Sequence, residues 1–472
     1  MLRPAGQWQA EGMTIPTDTA HEADTAASLH TPLDERVVTR WRDAFLADPS
    51  AVRSMNAVTR TAIDEVAINR ARLIDTRRSM SHRLDDWAAT NQKKSGRCWL
   101  FAALNLLRND ARRVLEIKDF EFSQNHAMYW DKIERANYFL GDMIELAGTD
   151  PDDRLLAFLL EQLMGDGGQW NMEVSIFTKH GAVPKEVMPE TESSSNTARM
   201  NAALRTQLRR GARMLRSAVA SGASGDQLRA LKEDVLADTH RILTIHLGVP
   251  PVEFEWQWND DQKGFHRAGT FTPQSFLAQY TSIDLRDYVC LVDDPRPEHA
   301  KGTTLTVAHL GNVVAGDAVV YLNVDIDVMK QVAAQTIADG EPVWFGCDVG
   351  AQMLRTDGVW AADLFDYAGV YGVDLTTTKE ERVRFGESAM THAMLFTGVD
   401  LGDDGAPRRW RVENSWGVEN GDRGFYTMDD SWFDEYVFEV VVRKDRLPAE
   451  LRAALATEPI ELPAWDPMGA LA

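Results

Sequence analysis

The chain has 472 residues, 44% hydrophobic and 26% charged, which is ordinary globular composition and long enough for two or three domains. Seventy-two acidic against 50 basic side chains give a formal net charge of −22, a field that repels phosphate backbones and disfavours a nucleic-acid partner. The three cysteines, Cys98, Cys290 and Cys347, are too few and too odd for a disulfide framework and fit a reducing, cytoplasmic setting; no apolar run long enough to span a membrane and no secretory signal is evident.

Residues 1–32 are rich in Ala, Thr, His and Asp without periodicity and are expected to form a mobile extension, with Met13 as an alternative start. From Leu33 onward, Val37, Trp41, Phe45 and Leu46 recur at helical spacing, and Pro49 is expected to end that helix. Residues 56–80 lead towards the segment Gln92-Lys-Lys-Ser-Gly-Arg-Cys98-Trp99. A helical run opens at Cys98, with Leu100, Phe101, Leu104, Leu107 and Leu115 on one face. Helices are expected at 123–145 and 153–164, followed by the glycine-rich turn Gly165-Asp-Gly-Gly-Gln-Trp170. No Gly-Lys-Ser/Thr follows it, so it is not a phosphate loop. It is either a plain tight loop or a place where Gly167 and Gly168 let a substrate backbone approach and pair like an added strand. Residues 197–247 read as a helical hairpin broken near Ser221–Gly225. Its Arg205, Arg209, Arg210, Arg213 and Arg216 are expected to be a solvated or subunit-contacting face. Short strands and loops follow from about Val252 to Val320. Residues 342–445 are β-rich, with strand candidates at Val343–Val349, around His392, at Arg409–Gly417, at Gly424–Met428 and at Tyr436–Val442.

A cysteine at a helix N-terminus has its thiolate favoured by unpaired N–H groups and the positive end of the helix dipole. The Gln92 amide, folded back by Ser95-Gly96, can donate to an oxyanion beside that sulfur. A cysteine nucleophile also needs a base, and the base an orienter. Most of the 11 histidines fall among charges in helical or loop segments and read as surface or partly buried groups. His392 instead lies in the apolar run Met390–Val399. The turn-forming Asp400–Pro407 then leads into a second run that contains Asn414. A hairpin would bring the two together, with the Asn414 oxygen on one imidazole nitrogen, the other facing the thiolate, and Trp416 covering the bond. Singly, Cys98 reads as a buried inert thiol and His392 as a core residue. Together, with Ser-Gly before the cysteine and Ser-Trp-Gly after the asparagine, they read as a cysteine acyl-transfer centre. Zinc spacings are missing, and no metal or cofactor is expected.

The segments Gln92–Trp99, Met390–Val399 and Asn414-Ser-Trp-Gly417 resemble the papain-like cysteine peptidases. Gly165–Asn171, Lys179–Lys185, Pro189–Asn196 and the ending Pro463–Ala472 narrow this to a resemblance to the bleomycin hydrolase and bacterial aminopeptidase C branch, from about Leu33 to the last residue. The resemblance implies an α+β, two-lobed papain-like core with a helical left lobe and a β-rich right lobe. It implies a mobile extension at 1–32, the nucleophile's lobe at 33–185, a large mainly helical insertion at 186–340, the β-rich lobe at 341–445 and, at 446–472, a C-terminal arm in the cleft. Cys98 is then the nucleophile, His392 the general base and acid, Asn414 the orienter and Gln92 the oxyanion donor, with Gly167, Gly168, Trp416 and Ala472 against the substrate.

Two departures stand out. Ser95 occupies a position where secreted papains often carry a cysteine. The interval 392 − 98 = 294 residues exceeds the roughly 130–150 of secreted members. The apolar tail, with Trp465, Pro467, Met468 and Leu471, asks for a surface to lie on, although chain ends by default fray. The resemblance implies that its carboxylate blocks one side of the cleft and pairs with a substrate ammonium. It further implies an intracellular aminopeptidase acting on peptides with a free N-terminus, assembled as a homohexamer. A cysteine acyl transferase and a chaperone-like scaffold without catalysis are the other readings of such a chain.

Overall fold

The computed structural model describes residues 32–84 and 87–472; the expected extension and Met13 lie outside them, except for residue 32. The chain divides into two compact units, one made of the residues up to Ala67 with Tyr367–Asp374 and the other of Ile68–Asp366 with Leu375–Ala472. In the first, helices Glu35–Ala47 and Pro49–Val58 are opened by Asp34 and Asp48, whose carboxylates accept from the N–H of Arg36 and Ser50. Pro49 therefore does not merely end a helix. It starts the next one, where its missing N–H would have no partner anyway and its fixed φ suits the first turn. In the same unit the Tyr367 hydroxyl donates to Asp64 at 2.7 Å.

The second unit is α+β, and its centre is the helix Cys98–Leu115 packed on a sheet. One buried face was expected of that helix, but Cys98–Leu107 is buried all round. A polar face can be buried when its groups are satisfied. Arg108 pairs with Glu413, and Asn105 donates to Thr90 and Glu413 at 3.0 Å each.

The middle of the sheet runs Tyr288–Val292, Val437–Arg443, Val343–Cys347, His392–Leu401, Pro407–Glu413, Phe425–Asp429, each antiparallel to its neighbour. Alternate side chains face opposite ways. Trp344, Ala393, Leu395 and Val441 join the core around the Cys98 helix, while Phe345, Met394, Phe396 and Val440 join a second core with helix Ile326–Ala338. Both faces are covered, which is why these strands read as nearly continuous apolar runs.

Helices Gln124–Glu145, Arg154–Gln162 and Trp170–His180 and the hairpin Ala198–Ala220/Gly225–Leu247 build the helical side. Ser224 opens the second arm of the hairpin by accepting from Gln227 N–H. The stretch read as strands and loops also contains a helix, Pro273–Tyr280. At the far end, Ile460–Leu462 adds to the sheet parallel to Thr304–Val307, and Asp466 opens a single 3₁₀ turn at Pro467–Gly469. No described helix is long and apolar enough to cross a membrane.

Candidate active site

Cys98 is the first residue of its helix, and the loop before it is tied down at nearly every position. Ser95 Oγ donates to Gln92 O at 2.6 Å. Arg97, fully buried, donates to Ser95 Oγ at 2.9 Å and forks onto Glu190 at 2.9 and 2.7 Å. The planar guanidinium suits this bidentate grip. The Gln92 amide is oriented at both ends: Nε2 donates to Ser95 O at 2.6 Å, and Oε1 accepts from Ser415 Oγ at 2.5 Å. One amide hydrogen remains for another acceptor.

Asn414 lies one residue beyond the strand Pro407–Glu413, rather than within it. Its Oδ1 lies 3.0 Å from His392 Nε2 and also accepts from Ser415 N–H at 2.7 Å. Nδ1 of His392 is thereby the ring nitrogen left for chemistry. The half-buried Trp416 ring lies 5.0 Å from the imidazole, tilted by 35°. Gln92 N–H donates to Ser415 O at 2.8 Å and Gly417 N–H to Thr90 O at 2.9 Å, so the segment carrying Gln92 runs alongside the segment carrying Trp416. Gly417 has φ +80°, and a Cβ there would come within 2.4 Å of Asn91 Nδ2. The backbone N–H of Ala393, the residue after His392, faces the Cys98 sulfur.

The glycine-rich turn lies against the same helix end. Trp99 Nε1 donates to Asp166 O at 2.7 Å, and a Cβ on Gly168 would meet the Trp99 ring at 2.6 Å. A Cβ on Gly167 would come within 1.9 Å of Leu471 O and 3.4 Å of the Ala472 carbonyl carbon. The close approach that glycine allows at Gly167 is thus made by the chain's own carboxyl end. Cys98, Trp99, Gly168, Gly167 and Ala472 form one continuous line of contacts.

Residues 32–469 match the model of the Peptidase C1-like family. The chain belongs to that family. It is 42% identical to human bleomycin hydrolase over 90% of this chain and 96% of that protein. It is 41% identical to aminopeptidase C of Listeria innocua, over 92% and 96% respectively. The crystal structure of PepW from Lactobacillus rhamnosis superposes with a TM-score of 0.92 at 41% identity, covering 93% of this chain and 99% of that one. The protein is a cysteine-type peptidase with a papain-like fold.

The electrostatics of the peptidase's site have one dominant cause. Burial pushes the Cys98 thiol up to about 11, against the pull of backbone N–H groups from Ala393 and Trp99. Burial likewise pushes His392 down to about 4, with the Asn414 bond opposing. Each charge alone is disfavoured in a dry site. A unit-charge pair in contact gains about 4 kcal/mol at a protein-like dielectric, or about three decades of proton affinity. Thiolate and imidazolium therefore form together, by transfer of one proton, or not at all.

Two residues that positioned the site were not singled out in the sequence. Asp166 accepts from Gly96 N–H at 3.2 Å, Lys132 at 2.8 Å, Thr197 at 2.5 Å and Asn201 at 2.7 Å. Burial raises its carboxyl, but Lys132 and these bonds outweigh that and hold it well below the usual range. It pins the cysteine loop, the glycine turn and the helical hairpin to one another. Glu413 takes Arg108, Asn105 and the Trp87 indole, the last at 2.6 Å, and so fixes the end of the strand from which Asn414 projects. The signal for Asp166 was its place inside the glycine motif; for Glu413 it was a lone acid closing an arginine-rich strand, next to Asn414.

The tail is anchored by charge. Arg296 forks onto Asp466 at 2.8 and 2.9 Å and also binds Asp294, all buried. The Tyr321 hydroxyl donates to Met468 O at 3.2 Å. Met468 and Leu471 are buried, and Arg154 stacks on Trp465 at 3.9 Å.

Proposed function

We propose that the peptidase is a cysteine aminopeptidase that takes residues one at a time from peptides with a free N-terminus. One observation carries this reading: the Leu471–Ala472 end is seated on Gly167, in the loop whose next residue packs on the neighbour of Cys98. An endopeptidase needs that side of the cleft open for several residues. Here the chain's own end fills it and offers a terminal carboxylate to a substrate ammonium.

In this reading Cys98 gives its proton to His392 Nδ1, and the thiolate adds to the carbonyl carbon of the first residue. The oxyanion accepts from the remaining Gln92 amide hydrogen and the Cys98 backbone N–H. The C–N bond breaks as imidazolium protonates the departing amine, leaving a thioester on Cys98. Water, deprotonated by His392, adds to the thioester and releases the free amino acid and the thiol. Asn414 keeps the imidazole facing the sulfur, and Trp416 shields that bond.

Cytoplasmic residence is supported by three cysteines that are all free thiols in this fold. A homo-oligomer is supported by apolar side chains left exposed at Ile245, Val249, Val252 and Phe265. A hexamer is the form implied by the family resemblance, and light scattering on the purified protein tests it.

The deciding experiment compares free and N-acetylated peptides on the intact protein, on Cys98→Ala and on a chain lacking 469–472. Cys98→Ala is expected to abolish cleavage while the fold is retained. The truncated chain is expected to accept N-acetylated peptides that the intact protein refuses. If the truncated protein still demands a free amine, the tail is not the gate. Joining of acyl groups to added amines in place of hydrolysis would identify an acyl transferase.

A further inference from the structure

We propose that Arg355 forms a carboxylate-binding subsite on the leaving-group side of the cleft, selecting peptides that carry a negative charge just beyond the cleaved bond. Arg355 lies in the exposed turn between the short strands Met353–Leu354 and Val359–Trp360. Its guanidinium carbon sits 4.6 Å from the centre of the Trp416 ring. That is the ring lying 5.0 Å from His392. Tyr426, edge-on to Trp416 at 6.1 Å, also feels this charge: burial raises the phenol, and Arg355 opposes the rise.

What sets Arg355 apart is its lack of an anionic partner. Arg97 is spent on Glu190, Arg108 on Glu413, and Arg296 on Asp294 and Asp466. Among the described residues, Arg355 has no carboxylate within ion-pair distance. An aromatic face holds a guanidinium in place through its flat side and leaves the in-plane N–H donors free. One donor is turned towards the Tyr426 hydroxyl, and the others match a carboxylate. The molecule as a whole carries −22, so acidic peptides are not drawn to it in general, and any preference for them must be local.

The location follows from the aminopeptidase reading, on which this inference rests. There the tail fills the acyl side at Gly167, and His392 hands its proton to the departing amine. The departing peptide then passes His392 and lies along Trp416, beneath the guanidinium. The carboxylate has two possible sources. It is the side chain of an Asp or Glu after the cleaved bond, or the free C-terminus of a dipeptide. A competing acid, Glu419, borders Gly417.

The test measures kcat/KM for Ala-Glu-Ala-amide against Ala-Lys-Ala-amide, and for Ala-Ala against Ala-Ala-amide. An exposed charge pair corresponds to a preference of about two- to five-fold for the acidic member of a pair. That ratio is expected to fall to near unity in Arg355→Met, to survive in Arg355→Lys, to invert in Arg355→Glu and to shrink in high salt. Movement of the first pair assigns the side-chain source; movement of the second assigns the terminal one. If Arg355→Met leaves both ratios where the wild type has them, the subsite does not exist. Peptide binding to Cys98→Ala, with and without Arg355→Met, separates this outcome from failure of the aminopeptidase reading. An acidic preference in binding that disappears with Arg355→Met supports the subsite even without turnover, and equal binding overturns it.

Discussion

The Cys98 helix is anchored by apolar burial, whereas the tail that ends beside it is anchored by charge. Trp99, Leu100, Phe101, Leu104, Leu106 and Leu107 are each no more than 2% exposed, and fully burying such side chains contributes about 1.5–3 kcal/mol apiece. That stabilisation is non-directional and involves no charge to titrate or screen. The tail has Met468 and Leu471, but its defining contact is the buried Arg296–Asp466–Asp294 cluster. Such a cluster gains little over its desolvation cost while intact and is strongly destabilising once one partner is removed. In the aminopeptidase reading, the chemistry is therefore built on the first kind of contact and the gate on the second, conditional kind.

The largest expected effect comes from breaking the conditional side. Arg296→Met leaves Asp294 and Asp466 buried without their shared guanidinium, a loss of about 3–5 kcal/mol for a buried pair. It is expected to appear as a lowered Tm or, where the tail alone lets go, as turnover of N-acetylated peptides by a protein that stays folded. A variant that melts like the wild type and still refuses acetylated peptides would show that charge does not anchor the tail.

The apolar side has a weak point in its buried acids, and Glu439 sharpens the contrast. Glu439, fully buried in the strand beside Val343–Cys347, is raised to about 7 from 4.5 by burial, with the Cys290 thiol opposing. The native state keeps this proton where the unfolded chain gives it up. Its contribution to stability is therefore complete below pH 4.5 and is lost as pH rises through 7. The shift corresponds to about 3 kcal/mol. Urea unfolding at pH 5 and pH 8 should show this loss in the wild type and much less of it in Glu439→Gln. Equal pH dependence in the two proteins would clear Glu439.

The sequence carried the apolar half of this structure well and the polar half poorly. The Cys98 helix, the hairpin of 198–247 and the strands around His392 and Val437 follow from periodicity and breakers, because burial imposes a local repeat. The His392–Asn414 contact could be read from an apolar run and a second strand-like run joined by a turn. Asp166 and Glu413 could not be assigned their partners. Lys132 lies 34 residues from Asp166 and Arg108 lies 305 from Glu413, and no local pattern encodes which distant charge meets which. For the same reason the helix looked one-faced: its polar face is buried by partners the sequence does not name. Pro49 misled in a different way, since proline closes one helix and opens the next equally well.

Two smaller changes separate orientation from gating. Asn414→Ala frees the imidazole ring without altering the apolar core, and kcat/KM is expected to fall about 10²-fold, the lower end of what positioned acid–base catalysis contributes. An unchanged kcat/KM would remove Asn414 from the site. Gly167→Ala acts only on the gate. Its Cβ would stand 1.9 Å from Leu471 O, which no backbone pair tolerates, so one side must give. The glycine turn is pinned by Asp166 and by Arg135, which donates to Gly167 O at 2.6 Å. The tail end closes on its own short turn, with Ala472 N–H donating to Gly469 O at 3.2 Å. The tail should move, and with it the carboxylate that the aminopeptidase reading sets against the substrate amine. Preference for a free over an acetylated N-terminus is then expected to fall about ten-fold, the size of one charged hydrogen bond, with Tm nearly unchanged. A fall in Tm with the preference intact would mean that the turn gave way instead, and that the tail is held more firmly than its charged anchor implies.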